Sequence, residues 1–420
     1  MATASSAAPA PTLPVFDGTS MRLSPKDPGF YTDPYPAYAA IHARGPAIFW
    51  EEYGHWCFAG HDLVNRSLRE RRFGRQILHV ASRQELGWPL PKPHLADFDR
   101  LEDVSLLELE PPAHTRLRTL VNRAFVSRQV ERLKPDIEAL AHSLIDGFER
   151  DRHAELLASY GEIIPVTIIA RMLGVPMEMT PQLLDWSHRM VRMYMFLRDE
   201  DIERDANAAA RQFTLYLEDL IAGRRRALGD DLISHMLTAR SGDDGLTATE
   251  LVSTTILLLN AGHEATVHQI GNAVATILST GADPKTMFAD DRSTALAVEE
   301  CMRFDPPLHM FTRWVLEDCE PSPGVTLRKG DRIGLMLGAA NHDPARFPDP
   351  GSFRPDRDDG MQLAFGGGLH FCIGAPLARL ELQVALPILF ERLPALALAE
   401  PPRWRDAYHF RGLERLNASW

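Results

Sequence analysis

The sequence predicts a mainly α fold with a small β portion, closed into a single large domain. Three observations carry this. Residues 134–291 keep a mostly helical spacing of apolar positions, broken at Gly174-Val175-Pro176 and at Gly242-Asp243-Asp244-Gly245. Strand-like patterns are short and confined to 47–58 and 313–337. No Gly/Ser-rich or Pro-rich linker divides the 420 residues, and no internal repeat is found.

In chain order, residues 1–14 are rich in Ala, Ser, Pro and Thr and are expected to be disordered, leaving 15–420 as the domain proper. They lack a basic stretch followed by an apolar core, so they do not read as a signal peptide. Asp33-Pro34-Tyr35-Pro36 opens a first helix, and 47–50 with 55–58 form a hairpin-like pair. Residues 74–107, with Pro89, Pro91 and Pro93, are irregular; loops of this length tend to be lids, binding loops or disordered segments. Glu110-Pro111-Pro112-Ala113-His114 opens a helix reaching about Phe125, its prolines placed where a missing N–H costs nothing. Residues 247–279 are the longest helical pattern and apolar nearly all round, which places that helix in the middle of the domain. Short strands follow over 313–337, then a proline-rich meander past Asn341. An Ala/Leu-rich helix spans about 375–389.

A chain of this length buries an ample core without disulfides or a structural metal. Cys57, Cys301, Cys319 and Cys372 follow neither zinc-ligand spacing nor a secreted framework, which suits a reducing cytoplasm. No stretch reaches the roughly 18 to 20 apolar residues of a spanning helix, so no membrane partner is expected. The net charge of −12 argues against nucleic acid. Arg116, Arg118, Arg123, Arg128, Arg132 and Lys134 nevertheless cluster. They are either a solvated helix face or a docking patch for an acidic electron donor.

Three groups of residues carry chemistry. Phe365-Gly366-Gly367-Gly368-Leu369-His370-Phe371-Cys372-Ile373-Gly374 sets a cysteine at the mouth of a helix, where free N–H groups and the dipole favour thiolate. A lone cysteine is more often a small buried hydrophobe, but that leaves the glycines, Phe365 and His370 unexplained. Asn260-Ala261-Gly262-His263-Glu264-Ala265-Thr266 puts an acid inside an apolar helix, at a cost unless it is paired or used. Gly262 costs that helix about 0.8–1.0 kcal/mol relative to alanine, so something should want the space. One reading is a kink with Glu264 in an ion pair; the other is a chemical role. Glu300 and Arg303 share a helical face, a pair that many surface helices carry.

The 365–374 frame resembles the haem-ligand loop of the cytochrome P450 family, F-G-x-G-x-H-x-C-x-G, and the likeness runs in the family's order from about residue 33 to 420. It implies the cytochrome P450 fold, of soluble bacterial type, with Cys372 as axial thiolate of haem b. A thiolate there pushes electron density that favours O–O cleavage. His114, Arg118, Arg313 and His370 match the positions that hold the haem propionates, with Phe365 and Gly366 in the loop. Residues 261–266 look like the family's A-G-x-D/E-T-T/S signature, whose widened helix admits oxygen and whose acid and alcohol relay protons. Glu264 matches the acid, but Ala265 stands where threonine is usual. Either Thr266 holds a water that Glu264 recharges, or a substrate hydroxyl or carboxylate supplies the proton. Glu300 and Arg303 match the E-x-x-R pair, with Arg357 of Phe353-Arg354-Pro355-Asp356-Arg357 completing a structural triad.

The resemblance further implies a monooxygenase that inserts one oxygen atom from O2 into a small-to-medium apolar substrate by hydroxylation, dealkylation or epoxidation. The substrate pocket would draw on Met193, in the run Met190 to Leu197 that includes Tyr194, Met195 and Phe196. Its other walls would be Leu257, Ala261, Leu308, His309 and Phe410. No flavin or ferredoxin module follows Cys372, so electrons from NAD(P)H are expected through a separate ferredoxin and ferredoxin reductase. A cytoplasmic monomer is expected. The alternatives are a hydrogen-peroxide-driven peroxygenase and a catalytically silent haem-binding ligand sensor.

Overall fold

The computed structural model describes residues 9–124, 127–194, 198–240 and 244–420. Residues 1–8, Phe125, Met195, Phe196, Leu197, Gly242 and Asp243, all named above, lie outside them, as does the side chain of Arg128.

The 33-residue helix Ala248–Thr280 is the axis of the core. A reciprocal cap starts it: Thr247 Oγ1 accepts from the Glu250 amide at 3.2 Å, and Glu250 Oε2 accepts from the Thr247 amide at 2.8 Å. Its middle is buried on almost every side, as a helix apolar all round must be. Helices Ile163–Leu173, Asp291–Phe304 and Ala375–Arg392 pack against it. Their buried Leu, Ile, Val and Ala side chains form one continuous cluster, each large side chain contributing about 1.5–3 kcal/mol.

The β portion is mostly one seven-stranded sheet. Its strands in chain order are β1 (Val15–Asp17), β2 (Ser20–Arg22), β3 (Ala47–Trp50), β4 (His55–Phe58), β5 (Phe73–Gly74), β6 (Phe311–Val315) and β7 (Arg332–Leu335). Their spatial order is β1-β2-β3-β4-β7-β6-β5. The expected hairpin is present, with Ala47 opposite Phe58 and Trp50 opposite His55. β7 runs parallel to β4, Ile333 beside Trp56, and antiparallel to β6, so the 313–337 region joins the N-terminal hairpin in one layer. A second apolar cluster, including Phe30, Tyr38, Trp50, Met336 and Tyr408, packs against this sheet.

Of the expected irregular stretch 74–107, Gly74 ends β5, and the rest is irregular except for a short 3-10 turn, Pro93–Leu95, and a helix, Ala96–Glu102. That helix has no local cap. Asn207 Oδ1, from helix Glu200–Arg226, accepts from the amides of Asp97 and Phe98 at 2.8 and 3.0 Å. The same helix supplies Glu203, which takes Lys92 Nζ and His94 Nε2 at 2.8 Å each. Tertiary partners about a hundred residues away therefore fix the loop. Among the described residues no helix is long and apolar enough to cross a membrane.

Candidate functional site

The glycine loop folds as it does because two of its residues adopt left-handed backbone, Gly366 at φ 67° and Gly368 at φ 66°. A side chain at Gly368 would also sit 2.3 Å from the Leu68 carbonyl oxygen. The Cys372 amide donates to Phe365 O at 3.0 Å and closes the turn. Helix Ala375–Arg392 follows directly. Burial raises the thiol pKa, opposed by the amides of Gly374 and Ala375 and by the charges of Arg118 and Arg379. Those amides are what a sulfur anion needs as partners, and a bound metal cation would shed the remaining proton.

Beside this loop stands a group of buried and half-buried basic side chains short of acceptors. His114, on helix Ala113–Ala124, is 1 % exposed, and neither ring nitrogen has a hydrogen-bond partner. Its ring lies 4.5 Å from that of His370, centroid to centroid. Burial, then His370 and Arg118, push His114 down to about 4. Arg118 Nη2 donates to Phe371 O at 2.8 Å, which ties the helix to the cysteine loop. Arg313 is 5 % exposed and donates to the Thr312 carbonyl; burial first, with Arg75 adding, lowers it from 12.5 to about 9. Glu110 Oε1 is 3.4 Å from His370 Nε2 but also accepts the Arg75 amide. Buried cations without an acid partner are costly. A group carrying carboxylates, set beside a thiolate ligand, fits this arrangement, and haem is such a group.

The central helix presents its most open face where the sequence placed the oxygen site. Leu257, Ala261 and Ala265, four residues apart, lie on one face. Ala261 is exposed and the other two half-buried, whereas Ile256, Leu258, Leu259, His263 and Thr266 are buried. The helix runs on as α-helix through Gly262. The space Gly262 leaves is taken by Ile169, whose Cγ1 would lie 3.0 Å from a Cβ there.

Glu264 is 7 % exposed and divides its two oxygens between two sets of partners. Oε1 receives Arg405 Nη1 at 3.3 Å, with His268 Nε2 at 3.4 Å. Oε2 faces His188 Nε2 at 3.6 Å and His263 Nε2 at 3.8 Å. Burial alone would raise the carboxyl pKa, but its basic neighbours, Arg405 among them, outweigh it and hold Glu264 far below the usual carboxylate range. Of the first reading of the sequence, a kink with Glu264 in an ion pair, the ion pair is present. Thr266 Oγ1 donates back to Gly262 O at 3.4 Å. His188, His268 and Arg405 were not named from sequence. His268 could have been, from its i, i+4 spacing to Glu264; Arg405 and His188 are brought there only by the fold.

Glu300, Arg303 and Arg357 meet as expected. Arg303 Nε and Nη2 donate to the two Glu300 oxygens at 2.7 and 2.8 Å, and Arg357 Nε lies 3.1 Å from Oε2. Arg303 Nη1 reaches Asn341 O at 2.9 Å and the Arg354 amide donates to Glu300 Oε1, fixing the meander that leads into the cysteine loop.

The other expected pocket positions divide. Leu308 and Phe410 are half-buried and joined by a backbone bridge. Met193 is buried in the main apolar cluster. His309 is wholly buried, 2.6 Å from the Tyr38 hydroxyl and 3.9 Å from Asp305, so its ring is committed to the sheet side of the molecule. The basic segment also divides. Arg116 pairs with Glu250 and Asp244, Arg118 points inward and Arg123 bonds Arg240 O, leaving Arg132 and Lys134 exposed.

Comparison with known proteins points to one family. The family model "Cytochrome P450" matches residues 293–399, which hold the triad's Glu300, Arg303 and Arg357 and the cysteine loop. The chain is 34% identical to the biotin biosynthesis cytochrome P450 of Bacillus subtilis over 92% of its own length and 96% of the relative. It is 36% identical to the vitamin D(3) 25-hydroxylase of Pseudonocardia autotrophica, over 92% and 94%. The solved complex of P450BioI with hexadec-9Z-enoic acid ligated acyl carrier protein superposes with a TM-score of 0.86 at 32% identity, covering 93% of this chain and 99% of that one. Bacillus subtilis PksS gives 0.84 at 31% identity, over 94% and 99%. The expected fold is thus observed, the family is one of haem-thiolate enzymes that use O2, and this chain belongs to the cytochrome P450 family as a monooxygenase of bacterial type.

Proposed function

We propose that Cys372 is the thiolate ligand of haem b and that the chain oxidises a small-to-medium apolar substrate with one atom of O2. The observation that carries this is the group His114, Arg118, Arg313 and His370: buried or half-buried basic groups, the two histidines with unpartnered nitrogens, beside a sulfur that faces backbone amides. Arg118 and Arg313 would bind the two propionates, with His114 and His370 donating to them. Phe365, half-buried beside Phe371 at 6.3 Å between ring centroids, and Gly366 shape the loop beneath. Haem held there supplies the oxygen-activating chemistry, one atom passing to the substrate and the other to water.

The chain's own residues bind substrate and move protons. Leu257, Ala261, Leu308 and Phe410 are apolar side chains that remain half-buried or exposed, and Met193 lies in the main apolar cluster; His309, held by Tyr38, is left out. Similar solved proteins hold hexadec-9Z-enoic acid on its carrier protein, myristic acid and corticosterone, which supports an apolar substrate. A proton can enter at the exposed His188 and pass to Glu264 Oε2. Ala265 offers no hydroxyl beyond it. Thr266 Oγ1 spends its hydrogen on Gly262 O but keeps lone pairs for a water, and a substrate hydroxyl or carboxylate is the other inner donor. Electrons come from NAD(P)H through a separate ferredoxin and its reductase, with the exposed Arg132 and Lys134 suited to steer an acidic donor.

The reduced, carbon-monoxide-bound protein should show the red-shifted Soret band of thiolate ligation, and Cys372→Ser should lose it. A normal red-shifted band in Cys372→Ser would overturn the assignment.

A further inference from the structure

We propose that His188, His263 and Glu264 form a binding site for a divalent transition-metal cation, zinc by preference, which pins helix Thr180–Val191 to the central helix. Their donor atoms all lie within 4.8 Å of one another. His263 carries the argument. Its Nδ1 is 2.8 Å from Leu259 O and can only donate there, so the hydrogen sits on Nδ1 and the lone pair on Nε2. That Nε2 is buried without a hydrogen-bond partner, on a residue 2 % exposed, and it faces Glu264 Oε2 at 3.8 Å. A neutral imidazole nitrogen facing a carboxylate oxygen is an arrangement that a cation placed between them would join. A backbone carbonyl that fixes the tautomer and turns the free nitrogen inward is the usual support of a metal-binding histidine.

His188 Nε2 supplies the third donor, 3.6 Å from the same oxygen. Ligand atoms around a tetrahedral zinc stand about 3.3 Å apart, given bonds near 2.0–2.2 Å. The cluster needs only a modest contraction, and His188, its side chain 59 % exposed, can move to provide it. The same exposure lets the cation reach the site from solvent and leaves room for water as a fourth ligand. Arg405 and His268 are the other groups facing Glu264, and both sit on Oε1. Arg405 is 41 % exposed, so solvent screens its charge from a cation on the far oxygen. Two imidazoles and one carboxylate select zinc-like ions over magnesium or calcium, which take oxygen sets. Occupancy would take Glu264 Oε2 out of the proton route proposed above; the binding itself does not depend on that route.

The test uses the haem-loaded protein, freed of loose metal with a chelator and titrated with zinc in competition with a chromophoric chelator. One tight equivalent is expected. His188→Ala should weaken it about 100-fold, as should His263→Gln, on the scale of losing a ligand or its support, while His79→Gln, an exposed histidine elsewhere, should leave it unchanged. His188 is on the surface, so its variant is expected to keep its fold and haem spectrum even if His263→Gln does not. No tight equivalent in the parent, or the same affinity in His188→Ala, would overturn the site. Failure of the haem assignment would show separately, in the carbon-monoxide spectrum.

Discussion

Arg405 Nη1 donates both to Glu264 Oε1 at 3.3 Å and to His268 Nε2 at 2.8 Å, joining the C-terminal region to the middle of the central helix. The pair has a thermodynamic consequence. Glu264 is held well below its ordinary value of 4.5, so its charge stabilises the folded state at any pH above that value. The contribution fades as pH falls and the unfolded carboxylate takes up protons. Glu264→Gln should therefore unfold at lower temperature than the parent at pH 7, by about 1–3 kcal/mol after allowing for the partial exposure of Arg405. The gap should narrow steadily from pH 5 to pH 3, where the unfolded carboxyl is protonated and the folded one still charged. Thermal unfolding at one scan rate across that range checks it; a gap of equal size at both ends would mean the carboxylate is not the source.

Ala265 lies on the open face of the central helix while Thr266 is buried and bonded to Gly262 O. The hydroxyl is thus on the wrong side to replace a threonine at 265 directly. Ala265→Thr should raise product formed per electron consumed if the inner proton supply is limiting. With an efficient substrate donor, coupling should stay flat or drop as the new side chain crowds the face. Measuring product against NADH consumed, with and without a hydroxyl-bearing substrate, separates the two.

Much of this was legible from sequence because it is local. The hairpin over 47–58, the long central helix and the glycine loop are each set by short-range spacing and backbone demands. The triad residues were found only through resemblance, since Glu300 and Arg303 alone look like any i, i+3 pair. What stayed hidden depends on partners remote in the chain. Helix Ala96–Glu102 is capped by Asn207, and Glu264 is held by Arg405 and faced by His188. His309 looked like a pocket residue from its neighbours, but Tyr38, far upstream, claims its ring. Gly262 asked for space, and only the packed structure shows that Ile169 takes it.

Arg313 should show opposite effects with and without haem. Its guanidinium, brought down to about 9 chiefly by burial, costs the protein stability unless an anion answers it. Arg313→Gln should leave the haem-free protein as stable as the parent or more so, and should speed haem loss from the loaded protein by about 10- to 100-fold, the worth of one charge-assisted hydrogen bond. Haem transfer to an acceptor protein and urea unfolding of the haem-free form give the two readings. Equal destabilisation of both forms would place Arg313 in the scaffold instead.

Removing the acid of the triad leaves two buried guanidinium groups, Arg303 and Arg357, without their shared carboxylate. Glu300→Gln should cost about 3–5 kcal/mol and yield protein that holds little haem. Arg303→Lys should fail similarly, because an ammonium cannot reproduce the paired bonds to Glu300 and the carbonyl contacts to Asn341 and Pro350. Soluble, fully haem-loaded Glu300→Gln at normal yield would show that the triad's burial is not essential.

Glu381 sits two turns into the helix that follows the cysteine loop, 0 % exposed, with no hydrogen-bond partner for either oxygen among the described residues. Burial pushes its pKa well above the ordinary carboxyl value. The sign is opposite to that of Glu264. The folded state holds a neutral carboxyl while the unfolded chain ionises above about 4.5, so stability is full at low pH and falls as pH rises. The fall is at most about 1.4 kcal/mol per pH unit, and it ends where the folded carboxyl itself ionises. Glu381→Leu removes both the titration and the unpartnered polar atoms at nearly constant volume. The variant should match the parent closely near pH 4.5 and exceed it increasingly from pH 5 to pH 8. A stability difference that does not change with pH would mean that Glu381 has a partner which keeps it charged in the fold.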